Sequence, residues 1–530
     1  MRTYTSTRLV IPLAVATLTG CGGAAPATTS PPSEPAKPDL PSVTLTETGA
    51  FPLPAHVETA DLASGAYTFQ RLFVSGDRLF HTAFNGADGV GIAVRPDGSK
   101  VARFAPLGPN GPAAQTCGEC HNTPAGSSAG LAHSSVVHGT GDKHVAPFDV
   151  RAATSLFGDG ILQLLAQEMT DELQAARDAA TQAAKSRPGT PVTRELRSKG
   201  TSFGSLVATA TAAGQVTLDV SHVAGLDPDL VVRPMGWKGD APLVRSITLG
   251  ASAGGMGMQP EEIVWKKPGG DPTQDLDGDG VKRELSVGDV TAITVYTAAQ
   301  ETPTELARLV SLGYAKAPSA EDATRVEAGR ALFATIGCSG CHTPEMPLTN
   351  TRFEEPTLRG NGHYYDQALA KLDSNYDPKR PVAFDILTDA QPPRAEARAG
   401  GGATIRLYGD LKRHAMGRVL ADHTGPSEPD TADGSSLMYD GKAVKIPADQ
   451  FLTAELWGVG NTGPWLHDNR AGTLREAILL HGEDQPPLAG QAGRSEAQES
   501  RDAFRARPAA EQDALVSFLL SLRTFSPESR

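Results

Sequence analysis

Basic charge is in short supply: 48 lysines and arginines face 61 aspartates and glutamates, a net charge of −13 over 530 residues. No basic patch or aromatic-basic stripe interrupts that balance, which excludes nucleic acid as a partner class. A glycine-rich nucleotide loop and a serine-nucleophile elbow are also missing, so nothing points to phosphate transfer or to an esterase-type hydrolase. Beyond the N-terminal segment no apolar run reaches the ~20 residues that a membrane-spanning helix needs. What remains, at 39% apolar and 21% charged residues, is the composition of an acidic globular protein. The chain is too long for one ordinary core, and two domains of roughly 200 residues each plus a tail are expected.

Cysteine is scarce too. There are five, an odd number that in an exported chain prompts a search for a free thiol. The start, "MRTYTSTRLVIPLAVATLTGCGG", has a short basic region, an apolar stretch from Leu9 to Leu18 and then Leu18-Thr19-Gly20-Cys21. Residues 1–21 are therefore expected to be a lipoprotein signal with Cys21 as the lipidated residue; a plain secretory signal with an incidental cysteine is the alternative. Residues 22–50, rich in Pro, Ala and Ser, would be a flexible tether. The expected location is exported, on the periplasmic side, held by lipid to the outer membrane.

The other four cysteines fall into two copies of one pattern, Cys117-x-x-Cys120-His121 and Cys338-x-x-Cys341-His342. This is the attachment sequence of c-type haem: both thiols form thioethers with the porphyrin, and the adjacent imidazole ligates the iron. A four-thiolate zinc site and a pair of thiol redox motifs are the competing readings. The histidine after each pair, in an exported chain, favours two covalently bound haem c groups. The second motif follows a helical pattern through Val326, Leu332 and Phe333, then Gly337, the helix-then-loop entry of a cytochrome c domain. Before the first motif, the alternation in "YTFQRLFVSGDRLFHTAFNG" suggests a hairpin. "FGDGILQLLAQEMTDELQAARDAATQAAK" (157–185) has helical spacing, and "SFGSLVATATAAGQVTLDVSHV" reads as a further small hairpin. The expected fold is mainly α, with two cytochrome c-like haem domains, 51–305 and 320–530, and small β-hairpin additions.

From about residue 230 onward the chain resembles the bacterial di-haem c-type oxidoreductases, related to di-haem cytochrome c peroxidases and to the methylamine dehydrogenase maturation enzyme. The resemblance rests on "RPMGWKGDAPLVRSITLGASAGGMGM" (233–258), "GCSGCHTP", "LYGDLKRHAMGRVLAD" (407–422) and "FLTAELWGVGNTGPWLHDNRAGTLREAILLHGED" (451–484). It implies that Trp237 lies between the haems as an electron relay. It also implies that His481 is the second axial ligand of the second haem, where the peroxidases carry methionine; imidazole in that place lowers the potential. His414 and Met416 are rival ligands, and His467 would orient a loop or a propionate. For the far side of the first iron, His144 and His138 are the candidates on family spacing, ahead of His133.

The peroxidases place a glutamine and an acid/base carboxylate downstream of the tryptophan. This chain has Arg245-Ser246 and Gly254-Gly255-Met256 there, and Glu261 and Glu262 could substitute only if the loop shifts. Paired glutamates at "QPEE" also suit the first turn of a helix. The implied reaction carries electrons from a small redox protein or other donor to hydrogen peroxide at the first haem. A non-enzymatic di-haem carrier, and a dioxygen-using or protein-modifying di-haem enzyme, are the alternatives. Separately, Asp275, Asp277 and Asp279 before Gly280 reproduce the first half of a calcium loop, although the twelfth position is Ser286; a plain Asp/Gly turn is the other reading.

Overall fold

The helix Asp159–Lys185 organises the N-terminal part of the molecule. Leu162, Leu165, Met169 and Leu173 recur at three- and four-residue intervals and are all buried. Its first half is buried all round, as expected of a helix that runs through a core. One side meets a three-stranded antiparallel sheet, Val192–Ser198, Thr201–Ala210 and Val216–Asp219. The other meets the helices Val244–Met256 and Val287–Ala298. The computed structural model describes residues 55–90, 114–123, 136–139, 148–266, 269, 271–276, 278–357, 375, 380–430, 436–485 and 493–525. The signal and tether expected at 1–50, with Cys21, lie outside them.

The expectation of a mainly α protein is corrected: 35% of the chain is helix and 17% strand. The described residues contain seven small antiparallel sheets of two or three strands. Most of those strands are only two to four residues long, as in Met346–Leu348, Ala403–Ile405 and Arg413–Ala415. A strand that short shows no readable alternation in sequence, so these ladders hide in what looks like loop.

The hairpin expected before the first motif is also corrected. Phe69–His81 is a helix, started by Thr68, whose hydroxyl accepts from Arg71 N. Its buried residues Leu72, Gly76, Leu79 and Phe80 keep helical spacing and lie against Val287–Ala298. Gly76 permits the close approach, since a Cβ there would stand 2.1 Å from the Ala292 carbonyl oxygen.

A second core forms around helices Ala320–Thr335 and Ala509–Leu520, with Phe333, Phe504, Leu515 and Phe518 at its centre. The helices touch at Gly329, where a Cβ would meet the Ala514 carbonyl oxygen at 1.9 Å. Gly329→Ala is therefore expected to destabilise the protein by about 1–3 kcal/mol, the usual cost of overpacking. Urea unfolding measures it, and a midpoint equal to wild type would contradict the close crossing. Among the described residues no helix is long and apolar enough to cross a membrane.

Candidate functional site

Both Cys-x-x-Cys-His stretches open onto one cavity of about 1180 Å³, lined by Cys117, Cys120, His121, Cys338, Cys341 and His342. An ordinary small-molecule pocket holds roughly 300–1,000 Å³. Cys117–Cys120 is a single helical turn, capped by the Thr116 hydroxyl accepting from Glu119 N. Cys338–Gly340 is a tighter turn entered through Gly337 at φ 88°. In both, the histidine amide donates to the carbonyl of the first cysteine at 3.0 Å, so the histidine is locked onto the turn that carries the thiols.

Burial pushes the Cys117 thiol up to about 12 and the Cys338 thiol up to about 11, and raises Cys120. Thiols held protonated this way make poor redox nucleophiles. The four cysteines do not converge as a zinc site either. Among the described residues, the grouping compact enough for a metal is Cys341 with Asp410 and His414.

His342 donates its Nδ1–H to the Tyr408 carbonyl at 3.1 Å. His481, just past the helix Leu474–Leu479, donates Nδ1–H to the Ala477 carbonyl at 2.7 Å. Each bond fixes the tautomer and leaves the ring lone pair on Nε2, as metal-ligating histidines require. The two ring centroids stand 6.5 Å apart. Metal–nitrogen bonds of about 2 Å on each side, with about 1 Å more to each ring centre, set the centres roughly 6 Å apart. The pair thus has the separation that one iron between two imidazoles demands. Burial pushes His342 down to about 4, helped by the neighbouring His481, and burial lowers His481 as well; both are neutral, and so are competent ligands.

His414 is occupied differently. Its Nε2 faces Asp410 at 2.9 Å and its Nδ1 faces Glu496 at 2.7 Å. Although burial opposes charge, the bonds to Asp410, Cys341 and Glu496 push His414 up to about 11. It is an imidazolium between two carboxylates, with no lone pair to offer iron. Met416 lines the cavity, but the ring facing His342 is that of His481.

Trp237 lines the same cavity and donates its indole N–H to the Ala152 carbonyl at 2.8 Å. Ala152 N in turn donates to the His467 carbonyl at 2.8 Å. The His467 ring stacks on Phe451, centroids 4.3 Å apart, and burial pushes it down to about 4. Its backbone carbonyl thus ties its own loop to the Ala152 segment. Beside it Arg151 and Lys238 meet Asp422 at 2.7 and 3.0 Å, an internally paired ion cluster on a cavity wall that Asp149 and Asp240 also line.

At the first motif, His121 donates Nδ1–H to the Thr154 carbonyl at 3.0 Å, which again puts the lone pair on Nε2. His138 lies on the strand Val136–Gly139, opposite Asp149; its side chain, like all of His133 and His144, lies outside the described residues. Arg245 and the two glutamates have other work. Arg245 pairs with Glu262 and, at 2.8 Å, with Glu355, all three buried. Glu261 pairs with Arg283 and accepts from Val287 N at 3.1 Å. Neither glutamate lines the cavity. In the Asp/Gly loop, Asp275 accepts from Gly278 N and Gly280 N at 2.6 and 2.8 Å, and Asp279 from Val281 N at 2.7 Å; Asp277 lies outside the described residues.

Buried His467, which is no ligand, gives the protein an acid limit. Its folded pKa lies below the unfolded value of about 6.5, so the unfolded chain takes up its proton first as pH falls. Its contribution is full above about 6.5 and is lost on the way down to about 4. The urea midpoint is expected to fall across that window, and a flat midpoint would contradict neutral burial.

No protein-family model matches the chain, and no curated protein does. Among solved structures, hydrazine synthase of Kuenenia stuttgartiensis is similar at 13% identity and a TM-score of 0.30, over 91% of this chain and 99% of that one. A MauG-like protein associated with microbial copper homeostasis is similar at 18% identity and a TM-score of 0.23, over 50% of this chain and 66% of that one. At these scores neither places the chain in a family.

Proposed function

We propose that the chain is a di-haem c-type oxidoreductase, passing electrons from a small redox protein through the His342/His481 site to an oxidant met at the His121 site. The observation that carries this is the pair of neutral imidazoles whose ring centroids lie 6.5 Å apart beside a Cys-x-x-Cys turn. Haem, when bound, supplies a one-electron iron couple. The chain's own residues do the rest: the cysteines anchor, and the carbonyls of Tyr408 and Ala477 orient the rings. Trp237, on the wall shared by both motifs, is the aromatic group through which electrons would pass.

Hydrogen peroxide is the oxidant that the family resemblance implies. A second reading, electron transfer without turnover, is favoured by the engagement of Glu261 and Glu262 with arginines, which removes them as acid/base groups. Electron paramagnetic resonance separates the two: a high-spin ferric component that responds to peroxide supports the enzyme, and two low-spin signals indifferent to peroxide support the carrier.

The haem assignment itself is tested by pyridine haemochrome counting. Two haems per chain are expected, and one in each of the double variants Cys117→Ser/Cys120→Ser and Cys338→Ser/Cys341→Ser. A wild-type chain that matures without covalent haem would overturn the proposal.

A further inference from the structure

Two carboxyl groups in the cavity have no part in the roles assigned so far. Asp159, 5% exposed, is the first residue of helix Asp159–Lys185, and Glu455 follows the strand Gln450–Leu452. Both line the cavity. Their segments are packed against each other: a Cβ on Gly158 would stand 2.5 Å from the Trp457 ring. Glu455 Oε1 is buried and has no hydrogen-bond partner.

The electrostatic surroundings of the pair are unusual for this cavity. Asp240, on the same wall system, is offset by Arg151, Lys238 and Arg413. Among the described residues, no cation figures in the charges acting on Asp159 or Glu455. The charged group acting on Glu455 is Asp410, which His414 already engages at 2.9 Å, whereas Glu455 is the charged group acting on Asp159. Two carboxylates with no counter-charge in a low-dielectric space cannot both stay ionised. Burial raises Asp159, with Glu455 adding to it, and burial pushes Glu455 up to about 7. Such groups titrate as a pair, not one by one.

We infer that Asp159 and Glu455 form a proton-holding pair that takes up one proton from solvent when the cavity's redox group gains one electron, and releases it on oxidation. This rests on the haem reading above. The electron comes from the one-electron donor and reduces the iron. The proton adds to a carboxylate oxygen, converting one COO⁻ to COOH, so the net charge of the cavity is unchanged. Added negative charge raises the proton affinity of nearby carboxylates, and the coupling is reciprocal: proton uptake favours reduction. An oxidant whose reduction consumes protons would then find one stored beside the electron.

The test uses the full-length, haem-loaded protein and reads two signals. In redox-difference infrared spectra, reduction should raise a protonated-carboxyl stretch that shifts in D₂O and is missing in Glu455→Gln. In redox titrations, the wild-type midpoint potential should fall as pH rises through neutrality, and it should lose that slope in Glu455→Gln and in Asp159→Asn. An unchanged band and an unchanged slope in both variants, with wild-type haem content and visible spectrum, would overturn the inference. A chain that carries no haem overturns both readings, and the missing thioether-haem absorbance tells that outcome apart.

Discussion

On the proposed haem reading, His481→Gly is expected to convert the second haem from six- to five-coordinate, replacing its low-spin ferric signal by a high-spin one, while His414→Gln leaves the low-spin signal in place. The two histidines compete on sequence alone, and the structure separates them by what their nitrogens already touch. His481 spends only Nδ1, on the Ala477 carbonyl, and its ring faces that of His342. His414 spends both nitrogens on carboxylates. His414→Gln should instead cost stability, on the order of 3–5 kcal/mol, because Asp410 is left buried without its cation. Electron paramagnetic resonance reads the first pair of outcomes, and urea unfolding of the same samples reads the last. Loss of the low-spin signal in His414→Gln, with its retention in His481→Gly, would reverse the assignment.

The second large effect lies away from the iron. Arg245 holds Glu262 and Glu355 together in the core and also donates to the Thr291 hydroxyl at 3.0 Å. Its guanidinium is the planar fork that such a site needs. Arg245→Ala leaves two buried carboxylates side by side, and the expected loss is about 3–5 kcal/mol. Burial already pushes Glu355 upward, with Arg245 holding it down, so in the variant Glu355 should become protonated at higher pH. The variant is therefore expected to recover part of its lost stability in mild acid, and a deficit that is the same at every pH would contradict the buried-charge explanation. The position that looked like a vacated peroxidase acid/base site is a structural clamp.

The legibility of this protein in its sequence follows from how local each feature is. The two Cys-x-x-Cys-His motifs are five-residue units, so they could be read directly as candidate attachment sites, and the structure brings both to one cavity. His481 was singled out because a long motif surrounds it, and the structure sets its ring 6.5 Å from that of His342. The fate of His414 could not be read, since one of its partners, Glu496, lies 82 positions away. The pair Asp159 and Glu455 gives no sequence signal at all: one residue opens a helix and the other follows a three-residue strand. Helix Phe69–His81 was mistaken for a hairpin because Val74 adds an apolar residue off its buried face; it is 64% exposed. The short ladders that correct the mainly α expectation are held by pairing partners distant in sequence, as Arg413–Ala415 is by Gln450–Leu452.

On the proposed reading His342 and His481 share one iron. Near-infrared magnetic circular dichroism of the ferric protein tests it most directly, because the charge-transfer band of a low-spin haem reports its axial pair. One bis-imidazole haem per chain is expected. A histidine–methionine band in its place, or no low-spin haem at all, would contradict the assignment.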